Sequence, residues 1–316
     1  MDLQASRQPS LLIDRVTGRV EARRTIDRAL IALLNLYATA SQPMRQRGLY
    51  KLCRLIGSTA WQGAMARIDI DPDAAVTFPA DDPYWNRMLL TQYDHEPELA
   101  RFLRGIADLD YGFVDCGANI GYWSVFAASD RGGRKPVLAI EASRPTYDIL
   151  ARNIAPQADR VISLHRAVLD RSGIDVVLTD AAHEARGIAE DGAPSSGATV
   201  ESIAIDDLLA RHGWSERRLV VKLDVEGVER QALSGMERAL NNDALVIYED
   251  HGADESHALT RHVLVDRELQ VHLLLDDGTV PITGVEQLIE YKRDRTKGYN
   301  LTAMRNNSQW QGTFRA

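Results

Sequence analysis

From Tyr111 onward, short apolar runs alternate with helical patterns, and no other feature constrains the fold of this chain more. Tyr111–Cys116, Pro136–Ile140, Val161–His165, Leu219–Leu223 and Ala244–Tyr248 are predicted as buried strands. Asn119–Ala128, Ser143–Ile154, Ile205–His212, Val228–Leu240 and Asp254–Val263 are predicted as helices between them. In the fourth of these, Val228, Ala232, Leu233, Met236 and Leu240 share one face at helical spacing. Strand–helix alternation predicts an α/β fold: a mostly parallel sheet with helices on both faces. Further on, Val271–Leu275, an Asp276-Asp277-Gly278 turn, Thr279–Ile282 and Tyr299–Met304 read as late strands, which suggests an antiparallel edge.

The first ninety residues read differently. Residues 1–24 are polar and predicted to be frayed. A helical pattern runs from Arg24 to about Ala66, punctuated by Pro43 and Gly48, with Ala29, Leu30, Leu33, Leu34 and Tyr37 on a wide stripe. That stripe is too short to span a bilayer. Packing on the domain is the expected use; a peripheral membrane contact or a second copy of the chain is compatible with it. Arg67 to Phe78 reads as extended, broken at Asp71-Pro72-Asp73. Helical turns are expected after Asp82-Pro83-Tyr84-Trp85 and from Glu96-Pro97-Glu98 through Leu103. The stretch Ala181–Ala198 is rich in Ala, Gly, Ser and Glu and reads as a loop, either over a site or a surface insertion.

The 316 residues carry a formal net charge of −8. This argues against a protein whose main work is gripping nucleic-acid phosphates. Cys53 and Cys116 form no metal or disulfide framework, and the first residues lack a secretory pattern, so a reducing, cytoplasmic location is expected.

The most informative segment is Phe113-Val114-Asp115-Cys116-Gly117-Ala118-Asn119-Ile120-Gly121-Tyr122. It reads as a strand ending in a tight glycine turn that opens a helix. Such a turn lets a nucleotide-bearing cofactor approach backbone at the carboxyl end of the first strand. Gly117 and Gly121 lack the middle glycine of the dinucleotide fingerprint, and no phosphate-binding G-x-x-x-x-G-K-[ST] loop occurs. A cofactor without pyrophosphate fits better, which points to S-adenosylmethionine over NAD(P). Glu141 closes the second strand, 24 residues after Gly117, where an acid can accept both ribose hydroxyls. Small residues such as Ala167, after the third strand, would leave room for adenine.

Two more strand ends are acidic. Lys222-Leu223-Asp224-Val225-Glu226-Gly227-Val228-Glu229 ends the fourth, and Glu249-Asp250-His251 ends the fifth. Ligands of open α/β sheets bind outside these ends. The bland alternative is helix capping, as for Asp206, which reads as an N-cap.

These residues together resemble the FkbM family of S-adenosylmethionine-dependent methyltransferases. The resemblance rests on Val114 through Tyr122, Glu141, Ile205-Asp206-Asp207-Leu208, Lys222 through Glu229, and Tyr248-Glu249, over about residues 90–265. Cys116 stands where the family usually has an apolar residue such as Val. The resemblance implies a Rossmann-like class I methyltransferase fold: a seven-stranded sheet with one antiparallel strand, here residues 91–316, behind a helical and extended cap at residues 1–90. Asp115, Gly117, Ala118, Asn119 and Gly121 would line the methionine end of the cofactor, Glu141 its ribose, and Asp224 the transfer centre. Family members commonly methylate hydroxyls of sugars or of polyketide and other secondary-metabolite precursors, often in polysaccharide pathways. The implied reaction is O-methyl transfer to a small-molecule or glycan acceptor.

An in-line transfer to a hydroxyl needs alignment and a proton acceptor. Asp224, Glu249 and His251 are the candidate catalytic groups. Asp224, Glu249 and Asp250 are alternatively a possible Mg²⁺ set. The competing readings are an NAD(P)-dependent oxidoreductase and a catalytically silent methyltransferase-like binding protein.

Overall fold

The computed structural model describes residues 9–42, 48–91, 93–179, 197–295 and 297–314. The chain forms two compact units, Met1–Glu96 and Pro97–Ala316.

The first unit is a four-stranded sheet with two helices. Its strands are β1 (Leu11–Asp14), β2 (Arg19–Ala22), β3 (Met65–Asp71) and β4 (Ala74–Pro79), in the order β2-β1-β3-β4. Its helices are α1 (Thr25–Ala40) and α2 (Leu49–Ala60). The expectation that residues 1–24 are frayed is corrected by β1 and β2 for residues 11–22, while residues 1–8 lie outside the described residues. The Asp14 carboxylate accepts the N–H groups of Val16 and Thr17 at 2.8 and 3.1 Å and so shapes the hairpin turn. Parallel pairing of β1 with β3 buries Leu11 and Ile13. That pairing partner lies more than fifty residues away, so local polarity misleads. The helical reading to Ala66 also overshoots, because Met65 already begins β3. The turn at Asp71-Pro72-Asp73 joins β3 to β4 as expected.

The second unit opens with α3 (Pro97–Gly105). Its remaining strands are β5 (Gly112–Cys116), β6 (Val137–Glu141), β7 (Val161–His165), β8 (Ala167–Leu169), β9 (Asp175–Val177), β10 (Thr199–Ala204), β11 (Leu219–Leu223), β12 (Ala244–His251), β13 (Gln270–Leu275), β14 (Gly278–Ile282) and β15 (Gly298–Met304). The helices are α4 (Tyr122–Ala128), α5 (Arg144–Ile154), α6 (Ile205–Arg211), α7 (Glu229–Ser234), α8 (Glu237–Asn241), α9 (Ala258–Arg261) and α10 (Leu288–Tyr291).

The main sheet has eight strands in the order β14-β13-β15-β12-β11-β5-β6-β7. From β12 to β7 all pairings are parallel, while β15 runs antiparallel to both β12 and β13. The expected seven strands with one reversed member are present. The eighth, β14, comes from the Asp276-Asp277-Gly278 turn, which folds Thr279–Ile282 back on β13 as a hairpin. The β11, β12 and β5 strands are buried on both faces, which is why they read as continuous apolar runs. The core runs from Val114 and Ile140 through Val221 and Val246 to Leu273 and Leu301.

Three sequence expectations change here. Ala167 and Val168, after the third strand, form a strand of their own: β8 leaves the main sheet and pairs with β10, which also pairs with β9, in a separate three-stranded sheet. Val228–Leu240 is two helices, because Gly235 is pinned between them. Its carbonyl accepts the Asp206 N–H at 2.8 Å, and a Cβ there would lie 2.3 Å from the Leu169 carbonyl oxygen. Asp206 caps a helix, though not its own. Its carboxylate accepts the N–H groups of Arg238 and Ala239 at 2.9 and 3.0 Å, in the first turn of α8. Of the predicted loop Ala181–Ala198, residues 181–196 lie outside the described residues.

Candidate active site

The site is built at the carboxyl ends of β5, β6, β11 and β12, where parallel strands deliver their last side chains to one rim. Gly117 follows β5 directly at φ +78°, and a Cβ on it would sit 1.8 Å from the Asp224 carbonyl oxygen. The turn therefore lies flat against the end of β11, and Asp224 N–H in return donates to the Cys116 carbonyl at 3.0 Å. Gly117 and Ala118 N–H both donate to the Ile140 carbonyl at 2.9 Å, which locks the turn to β6 as well. Asn119 adopts φ +52°, a conformation Asn tolerates better than most residues. At Gly121, φ +91°, a Cβ would press on Leu150 at 2.7 Å, so this glycine serves helix packing.

Glu141 bridges the turn and the next helix. One carboxylate oxygen accepts Asn119 N–H at 2.9 Å and the other accepts Ser143 N–H at 2.7 Å. Each carboxylate oxygen has two lone pairs, so these bonds orient the carboxylate and leave further acceptor capacity for ribose hydroxyls. Asp115 is buried in β5, and Ser124 Oγ donates to it at 2.6 Å. Ala167 is buried one residue beyond Arg166, whose N–H reaches the Glu141 carbonyl at 3.2 Å. Its methyl packs with Leu178 and Val200.

Lys222 and Asp224 form the next feature. Lys222 lies opposite Asp115 on the neighbouring strand, is buried, and donates to Asp224 at 2.7 Å. Burial pushes the Cys116 thiol far up, with Asp115 adding to the effect and Lys222 opposing it. Cys116 thus stays a neutral apolar filler, in keeping with the residue type it replaces.

The β11–β12 register ends with Leu223 opposite Tyr248, so Asp224 and Glu249 leave neighbouring strands at one level. His251 is exposed and its Nδ1 lies 3.9 Å from the Glu249 carboxylate. Glu249 owes its place to Gly298 at the start of β15: a Cβ there would overlap the Glu249 carboxylate, at 0.9 Å. Sequence reading missed Gly298, and a lone glycine opening a strand is its only local signal.

Asp250 does not join this group, because adjacent strand residues point to opposite faces. It is buried in a network with Lys292, with His257 Nδ1 at 3.1 Å and with Thr260 Oγ1, which donates to it at 2.6 Å. Lys292 also donates to the Asp254 carbonyl at 2.8 Å. Of the possible Mg²⁺ set Asp224, Glu249 and Asp250, Asp250 is thus engaged by Lys292, His257 and Thr260. Among the described residues, no three His, Cys, Asp or Glu side chains are grouped to hold a metal ion.

A glycine turn closed against the acidic ends of the central strands, in a sheet with one reversed strand beside β12, defines a class I methyltransferase fold. Residues 115–271 match the methyltransferase FkbM domain, so the chain contains a domain of that family. It is similar to a hexuronic acid methyltransferase, AglP, of Haloferax volcanii, at 29% identity over 170 residues. That match covers 52% of this chain and 66% of that protein. Among solved structures, an FkbM methyltransferase of Methylobacillus flagellatus is 16% identical with a TM-score of 0.41, over 85% of this chain and 60% of that one. An S-adenosylmethionine-dependent O-methyltransferase of Thermotoga maritima is 11% identical with a TM-score of 0.35, over 69% of each chain.

Proposed function

We propose that the protein is an S-adenosylmethionine-dependent O-methyltransferase acting on a hydroxyl of a sugar or glycan. The similarity to a hexuronic acid methyltransferase favours a uronic-acid-containing acceptor. The carrying observation is the seat made by Gly117, pressed on the Asp224 carbonyl, beside the doubly anchored Glu141 carboxylate. Its donor set suits the cofactor: backbone and Asp115 for a methionine end, Glu141 for a ribose diol, and no diphosphate cradle. When bound, S-adenosylmethionine supplies a methyl group on an electrophilic sulfonium.

The chain's own residues do the rest. Glu141 fixes the cofactor's ribose, and Asp224, held by Lys222, presents a carboxylate at the rim where the cationic end would lie. Glu249 and His251 stand one strand further on, suited to receive the acceptor's hydroxyl proton as it leaves. Most of the rate enhancement comes from alignment, because the electrophile is already reactive.

Calorimetric titration with S-adenosylhomocysteine and with NAD tests the cofactor. Saturable binding of the first alone is expected, weakened about 10–100-fold in Glu141→Ala by loss of hydrogen bonds to a charged group. Binding of NAD alone would instead favour the oxidoreductase reading. Transfer of labelled methyl to uronic-acid oligosaccharides tests the acceptor class. Cofactor binding without transfer to any glycan or small hydroxyl compound would point to a silent binding protein.

A further inference from the structure

In the first unit, α1 and α2 show solvent an unusual surface. Toward their own unit α1 turns Asp27, Ile31, Leu34 and Ala38, and α2 turns Leu49, Cys53, Ile56 and Gly57. An amphipathic helix spends its apolar residues on such a face and keeps charge outside. Here the outside is apolar too. Ile26, Leu33 and Leu36 of α1 and Tyr50 and Leu55 of α2 are between 45% and 68% exposed. They make up half of the large apolar side chains exposed among the described residues, on two helices. The two helices are tied antiparallel at their ends. Arg24 donates to the Ala60 carbonyl at 2.9 Å, and Tyr37 lies against Gly48.

The charge on this pair has one sign. From Arg23 to Ala60, the described charged residues are Arg23, Arg24, Arg28, Lys51, Arg54 and Asp27. Asp27 is fully buried, paired with Arg24 and accepting Trp61 Nε1–H at 3.0 Å. The helices therefore expose cations and large apolar side chains with no acid, in a chain whose net charge is −8. A protein partner accounts for apolar side chains alone. Cations with no exposed acid, beside Leu and Tyr at helical spacing, match an anionic headgroup layer above hydrocarbon.

From this juxtaposition we infer that the outer face of α1 and α2 docks on an anionic lipid bilayer, lying in its interface. Among the described residues no helix is long and apolar enough to cross a membrane, so the contact is peripheral. Leu33, Leu36 and Leu55 enter the acyl boundary, and Arg28, Lys51 and Arg54 meet phosphates.

The test is sedimentation of the full chain with vesicles of phosphatidylcholine alone and of phosphatidylcholine with phosphatidylglycerol. Pelleting with the anionic vesicles only is expected, and it falls as salt is raised. Leu33→Asp with Leu36→Asp abolishes it. Lys51→Gln with Arg54→Gln weakens it about 25-fold, roughly fivefold for each cation. All four side chains are exposed, so an unchanged melting temperature marks an intact fold. Should the leucine variant melt early, the Lys51 and Arg54 variant decides alone. No pelleting with anionic vesicles, or pelleting that neither variant changes, overturns the inference. So does a lipid-free dimer, seen by sedimentation velocity, that dissolves in the leucine variant, since a second copy would then cover the face.

Discussion

Gly117 and Gly173 have nearly the same backbone conformation, φ +78° and +79°, in opposite surroundings. A Cβ on Gly173 meets nothing within 4 Å, whereas one on Gly117 meets the Asp224 carbonyl oxygen at 1.8 Å. Replacing each by alanine separates conformational strain from steric strain. Both variants bear the left-handed cost of an L-residue, about 1–2 kcal/mol. Gly117→Ala must also push β11 away, since real Cβ contacts below 3.0 Å are essentially unknown. The obstacle is backbone, so no rotamer relieves it, and overpacking adds about 1–3 kcal/mol. At roughly 2–4 °C per kcal/mol for a domain of this size, Gly173→Ala should melt a few degrees early, and Gly117→Ala about twice as far below wild type. Differential scanning calorimetry reads this directly. Titration with S-adenosylhomocysteine adds a second readout: a shift of about 1 Å at the turn should cost on the order of a hundredfold or more, while Gly173→Ala binds as wild type. Equal melting losses in the two variants would refute the claim that Gly117 is required by its contact with Asp224.

Other outcomes follow from buried groups. Lys292→Met leaves Asp250 buried with only His257 and Thr260, and should cost about 3–5 kcal/mol in denaturant unfolding; a loss under about 1 kcal/mol would mean the network is already satisfied without the lysine. Burial lowers the pKa of His272, which stacks on Phe314 at 4.3 Å, below the ordinary 6.5. The unfolded chain then binds the extra proton first, so stability contributed by His272 is present above that pH and is lost as pH falls through and below it. His272→Gln should flatten the decline in melting temperature between about pH 7 and pH 5; an unaltered decline would assign it elsewhere. Burial raises the Cys53 thiol to about 11 and raises Cys116 further, and both are buried. Neither should react with a thiol-specific disulfide reagent at pH 8 until the chain unfolds, and rapid labelling of either would contradict that burial.

The sheet was legible where burial is two-sided. Leu219–Leu223 is a strand with the ends read from the sequence, because a continuous apolar run between turn residues has few other uses. Gly117 and Glu141 were legible because a strand, a tight turn and an acid on the next strand are local in sequence. Elements stabilised by distant partners were not. The β1–β2 hairpin is held by β3, and Gly235 splits a helix because Leu169 and Asp206 close on it.

The sequence alone determined the mostly parallel α/β architecture and the resemblance to the FkbM domain, since periodicity, glycine spacing and strand-end acids are written in neighbouring residues. Only the tertiary structure decided which acids share a site. Asp250 and Glu249 are adjacent in the chain, yet one turns into the Lys292 network and the other lies in the space that Gly298 leaves open. The physical reason is the two-residue period of a strand combined with register. Alternate side chains face opposite ways: Lys292, just after α10, supplies a buried counter-charge to one, and Gly298 of the neighbouring strand β15 leaves an opening for the other.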